Sequence, residues 1–133
     1  MTAMLRALGA AMAMMAAVPA VQAAAPAPRL AKGLETGEWE LRGRGEGGGA
    51  RRLCVSSLSQ LLQSRHAGHA CKNFTVSDAA NRLVVTYECG AAGNGRTDLR
   101  VETSRLVQIQ SQGIADGAPF AFALEGRWIG ACH

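Results

Sequence analysis

Apolar and polar residues alternate along most of the chain, and the alternation predicts strands. Over residues 37–44, Trp39 and Leu41 alternate with Glu38, Glu40 and Arg42, the pattern of a half-buried strand. Gly45-Glu46-Gly47-Gly48-Gly49 reads as a flexible turn, and residues 51–55 return as a second strand with Leu53 and Val55 on one face. The period then changes. Leu58, Leu61, Leu62 and Arg65 fall at helical spacing, predicting about two turns of helix with Ser56 or Ser57 as its cap. From Lys72 the period returns to two. Phe74 and Val76 form one strand, and Leu83, Val85 and Tyr87 the next, with a turn at Ala80-Asn81. Residues 90–95 read as a loop, with Asn94-Gly95 as a turn signal. Leu99, Val101 and Thr103 form a further strand, followed by Val107, Ile109 and Ser111 after a turn near Ser104-Arg105. Asp116-Gly117 is another turn, and Phe120, Phe122, Leu124 and Trp128 make the inner row of a last strand. The expected fold is mainly β (α+β): a curved antiparallel meander sheet or partly closed barrel of about seven strands, with one short helix.

The first residues obey a different grammar. Arg6 precedes an unbroken apolar run over residues 7–18, and Val21-Gln22-Ala23 supplies small residues where a signal peptidase reads. A run of about 12 residues is too short to cross a bilayer, which needs roughly 20. Residues 1–23 are therefore expected to be a signal peptide cleaved after about Ala23. Residues 24–33, with Pro26 and Pro28 among alanines, are expected to be a disordered lead-in, and residues 34–133 a single domain. This division changes the composition. All five methionines (Met1, Met4, Met12, Met14 and Met15) lie in the leader, so the 48% hydrophobic content of the 133 residues overstates the core. Without Arg6 the net charge falls from +4 to +3. No second apolar run is long enough for a transmembrane helix.

Cys54, Cys71, Cys89 and Cys132 all lie in the exported part, and an even number in a small exported chain predicts two disulfides. The pairing is open from spacing. Cys54 with Cys71 and Cys89 with Cys132 closes the most local loops and is preferred. The rival joins Cys71 to Cys89 and Cys54 to Cys132, since Cys71 and Cys89 flank a predicted hairpin. A hairpin register placing Phe74 and Val76 opposite Tyr87 and Val85 sends these two cysteines to opposite faces, which counts against the rival.

Candidate chemistry is sparse. His66 and His69, near Cys71, offer imidazoles for zinc or copper, with His133 as a third, although two exposed loop histidines would look the same. Arg42, Arg44, Arg51 and Arg52 cluster near the first turn, but Glu38, Glu40 and Glu46 are interleaved, so a solvated hairpin tip is expected rather than a nucleic-acid patch. There is no G-x-S-x-G elbow, and Asp78, Asp98 and Asp116 fall on predicted turns or wet faces. Neither a catalytic set nor a cofactor is expected. The inner row Trp39, Phe120, Phe122, Leu124 and Trp128 would either face a lipid-like ligand in a pocket or fill the core.

The order Gly37-x-Trp39-Glu40, Cys54-Val55-Ser56, Cys71, Tyr87-Glu88-Cys89 and Gly126-Arg127-Trp128-Ile129-Gly130-Ala131-Cys132 resembles the bacterial exported domain-of-unknown-function family 3617. The likeness covers nearly the whole of residues 34–133. Trp128 departs from the basic residue expected there. The resemblance implies a periplasmic, disulfide-bonded, β-rich domain and carries over no activity or ligand. The functional expectation is a non-enzymatic periplasmic module that binds an envelope component, a hydrophobic small molecule or a protein partner. The alternative is a metal-binding protein using the His66/His69 loop.

Overall fold

The computed structural model describes residues 33–45 and 48–133. The expected signal peptide, its cleavage site and the lead-in up to Lys32 lie outside the described residues, as do Glu46 and Gly47 of the first turn. The strands are β1 (Gly37–Gly43), β2 (Ala50–Val55), β3 (Lys72–Asp78), β4 (Arg82–Glu88), β5 (Gly93–Thr103), β6 (Leu106–Ala115) and β7 (Ala118–Gly130). They form one antiparallel sheet in the order β2-β1-β7-β6-β5-β4-β3. Its outer strands are β2 and β3, so the sheet stays open rather than closing as a barrel. Every link but one is a hairpin between sequence neighbours. The exception carries helix α1 (Ser59–Leu62) and a single 3-10 turn (Ser64–His66) from β2 across to β3.

That crossing segment covers one face of the sheet and makes the core. Leu61 and Leu62 pack with Trp39 and Leu41 of β1, Val55 of β2, Leu83 and Val85 of β4, Leu99 of β5, and Val107 and Ile109 of β6. These are the residues whose alternation predicts inward-facing positions. The helix is shorter than the leucine spacing suggests, and neither Ser56 nor Ser57 caps it. Leu58 occupies the cap position without a side-chain bond, and Gln60 Oε1 instead accepts the backbone N–H groups of Ser56 at 2.7 Å and Ser57 at 3.0 Å.

The disulfides join Cys54 to Cys132 and Cys71 to Cys89, which overturns the preferred local pairing of Cys54 with Cys71 and Cys89 with Cys132. The reason is register. Lys72 lies opposite Glu88, Asn73 opposite Tyr87 and Phe74 opposite Thr86, one residue out of step with the register inferred from the apolar residues. A shift of one moves every side chain to the other face. It brings Cys71 level with Cys89 at the end of the ladder, 4.3 Å apart at Cα. It also turns Phe74 away from the core. A bulge at Val76 absorbs the irregularity, and Phe74 and Val76 are left exposed. The second bond ties β2 to the chain just past β7, across the start of β1, since Glu38 lies opposite both Cys54 and Gly130. Each outer strand is thus fastened covalently.

The start of β1 and the end of β7 meet closely. Gly37 passes so close to β7 that an added Cβ would sit 2.4 Å from the Gly130 carbonyl oxygen and 2.5 Å from Trp128 Nε1. Trp128 Nε1 donates to the Thr36 carbonyl at 3.0 Å, and the Arg105 guanidinium lies 4.3 Å above the Trp128 ring.

Candidate functional site

The two faces of the sheet have opposite characters, and each holds a polar arrangement. On the core side, the register lines up Tyr87, Gly95, Gly113 and Phe120 across four strands. Two aromatic rings thus flank two glycines. His66 fills the space above them, its ring 5.5 Å from that of Tyr87 and 5.9 Å from that of Phe120, edge-on to both. The expected turn at Asn94-Gly95 is instead strand β5. Gly95 is needed because Tyr87 occupies the position a side chain would take, and a Cβ there would be 2.5 Å from the Tyr87 hydroxyl oxygen.

His66 is buried, against the expectation of a loop histidine. Both its nitrogens are engaged. Nε2 lies 3.0 Å from the Ala92 carbonyl, which can only accept, so Nε2 carries the proton. Nδ1, 3.1 Å away from the Tyr87 hydroxyl, then accepts from it. Burial pushes the Tyr87 hydroxyl pKa above its ordinary value, opposed by a hydrogen bond with Ser111 and by the charge of Arg65. Next to this pair, Thr97 Oγ1 donates to the Leu62 carbonyl at 2.5 Å and lies 2.8 Å from Ser111 Oγ. Gln63 Nε2 bonds the His69 carbonyl at 2.8 Å. The bonds of His66 and Thr97 fasten the crossing segment to the sheet, and the two on His66 leave it no lone pair for a metal. His69 is exposed, and among the described residues no group of three or more His, Cys, Asp or Glu could hold a metal ion. The structure does not assemble His66, His69 and His133 into a centre.

The opposite face carries the concavities. Two adjoining hollows of about 450 and 510 Å³ share Arg96, Gln112 and Ala121. A third of about 230 Å³ shares Asp98 and Gln110 with the first and reaches Arg44, Arg82, Arg100 and Gln108. Period two explains the lining. Arg96, Asp98 and Arg100 alternate along β5, as do Gln108, Gln110 and Gln112 along β6, while β7 places the small Ala121 and Ala123 opposite Gln112 and Gln110. Two methyl groups between rows of long polar side chains leave a trough. Of the four aromatic residues expected to face a ligand, Phe120 and Phe122 border these hollows. Trp39 is fully buried in the core, and Trp128 packs against it.

Charges on this face are mostly paired. Arg82 Nε donates to Asp98 Oδ1 at 2.9 Å, Arg100 bonds Glu102 at 2.9 Å, and Arg127 bonds Glu125 at 2.7 Å. The Arg127 hydrogen bond, helped by one from Gln108, holds the Glu125 carboxyl below the usual carboxylate range. The arginines of the first hairpin are dispersed as well. Arg42 holds Glu40 at 2.7 Å, Arg44 donates to Gln108 at 3.0 Å and Arg51 to the Ser64 carbonyl at 3.0 Å. Arg96 differs: among the described residues it has neither an ion pair nor a side-chain hydrogen bond.

No family model, curated protein or solved structure matches the chain. The reading of the site therefore rests on its own geometry. Two disulfides suggest an oxidising, extracytoplasmic environment. Among the described residues no helix is long and apolar enough to cross a membrane. Sequence reasoning missed the trough because its floor depends on Ala121 and Ala123 coming into register with the glutamines of another strand. The only sequence signal was the run Gln108, Gln110, Gln112 at period two.

Proposed function

We propose that the chain is a non-enzymatic module exported to the periplasm, and that it binds an envelope component through the polar face of its sheet. The observation that carries this is the trough over β5, β6 and β7, on the face opposite the packed core. The signal-peptide grammar of residues 1–23, the disulfides and the resemblance to the exported family support the compartment. Trp39, Leu41 and their neighbours are consumed by the core, which favours a polar partner over a hydrophobic small molecule. The metal reading loses support, since the His66 nitrogens are both occupied.

Photo-crosslinking in cells exporting the full chain tests the proposal. A photoreactive residue at Gln110, in the trough, is expected to give discrete adducts, while one at exposed Arg65, on the core side, gives none. No adducts at Gln110, or equal adducts at both positions, would overturn it.

A further inference from the structure

The trough has a definite length, chemistry and charge, and together these select a ligand class. From Asn94 to Arg100 it follows seven residues of β5, six rises or about 20 Å. It therefore suits an extended chain better than a compact small molecule. One side wall presents the amides of Gln110 and Gln112, about 7 Å apart along β6, while that of Gln108 is bonded to Arg44 and Glu125. An amide offers a donor and an acceptor together, which matches hydroxyl groups that also do both. A peptide strand would need unpaired backbone to add to a sheet. Here β5, β6 and β7 are each paired on both sides, so only side chains are available. A lipid chain would need a continuous apolar strip, and here Ala121, Ala123, Phe122, Phe120 and Ile114 are interrupted by Arg96, Asp98, Gln110 and Gln112.

Charge narrows the class further. Asp98, the acidic group in the middle of the trough, is neutralised by the fork of Arg82. Arg96 has no partner among the described residues and lines both larger hollows; Glu88 lines one of them, and over the three hollows Arg44, Arg82, Arg96 and Arg100 outnumber Asp98 and Glu88, so the lining carries a net positive charge. One cross-strand row adds an aromatic surface. Phe74, Thr86, Arg96, Gln112 and Ala121 lie opposite one another from β3 to β7. Phe74 is 53% exposed at the end of that row, so its ring face is open to a stacking partner.

We propose that this trough binds an acidic polysaccharide strand, with Arg96 receiving a sugar carboxylate, Gln110 and Gln112 bonding hydroxyls, and Phe74 stacking on a sugar ring. The inference rests on the polar face being the binding face and adds the identity of what it takes. A short oligomannuronate titrated into the oxidised full chain, followed by calorimetry and amide chemical shifts, tests it. Saturable binding is expected, with shifts at Thr86, Arg96, Gln112 and Ala121 and weakening by added salt. Arg96→Ala should weaken binding about tenfold or more, as loss of a charged hydrogen bond does. Phe74→Ala should weaken it by about two- to tenfold. Arg65→Ala, which removes the same charge from the other side, should leave it unchanged. Neutral dextran should not bind, and polyglutamate should bind more weakly. Absence of oligomannuronate binding, equal binding of polyglutamate, or an Arg96→Ala effect no larger than that of Arg65→Ala would overturn the assignment. If Gln110 adducts still form in that case, the face remains a binding surface with another ligand; if they fail too, both readings fall.

Discussion

Gly95→Ala should destabilise the protein through one steric conflict. A methyl group at Gly95 would lie 2.5 Å from Cζ and from the hydroxyl oxygen of Tyr87. The Tyr87 ring cannot give way easily, since it is fully buried and its hydroxyl is bound to His66. Inserting a methyl into such a site costs about 1–3 kcal/mol. Alanine also restricts the unfolded chain, which returns about 0.4–1 kcal/mol. Gly68→Ala supplies the control: nothing lies within 4 Å of its added Cβ, so it carries the unfolded-state gain without the clash. Thermal unfolding of the oxidised variants, followed by circular dichroism, isolates the difference. For a domain near 100 residues each kcal/mol moves Tm by about 4–8 °C. Gly95→Ala should therefore melt at least about 4 °C below Gly68→Ala. Equal melting temperatures would refute the packing of Tyr87 over Gly95 and, with it, the placement of His66 above the row.

Other consequences follow from the same geometry. Tyr87→Phe should flatten the alkaline end of the stability–pH curve. Because the folded pKa is raised, the unfolded chain loses its Tyr87 proton first, at about pH 10, so this contribution is intact below that pH and is lost as pH rises through the folded value. Urea titrations at several pH values check the slope. His66→Ala should cost about 1–3 kcal/mol by removing the buried bonds of its ring to the Tyr87 hydroxyl and the Ala92 carbonyl, and zinc or copper should evolve no heat with the parent protein. Replacing Cys54 and Cys132 by alanine should cost more than replacing Cys71 and Cys89, about 4.5 against 3 kcal/mol from sequence separations of 78 and 18, measured by denaturant unfolding. Nonreducing peptide mapping should recover those two pairs alone.

How much was readable in advance depended on the range of the interaction concerned. The seven strands and the core row of Trp39, Leu83, Val85, Leu99, Val107 and Ile109 follow from local alternation, because each residue's inward position is set by its immediate neighbours. The β3–β4 register was not readable. The apolar residues Phe74 and Val76 suggest an inward row, but a bulge and a cysteine pair at the ladder end set the pairing one residue away. Gly95 looks like a turn residue because its purpose, accommodating Tyr87, is visible only across strands. His66 looks like a loop residue because its partners, Tyr87 and Ala92, stand 21 and 26 positions off. The trough combines all of these limits, since its arginines, glutamines and alanines come from three strands and are ordinary surface residues until the register aligns them.

The claim that the polar face is the working surface is tested most directly by blocking it without disturbing the core. Ala121 is exposed and borders both larger hollows, so Ala121→Trp would fill them from the floor. The measurement is the yield of adducts from a photoreactive residue at Gln110 in cells, with and without Ala121→Trp, alongside Tm. The account predicts that adduct yield falls by about tenfold while Tm stays within the range of a neutral surface change, about 0.5 kcal/mol. Undiminished adducts in a folded Ala121→Trp variant would contradict it.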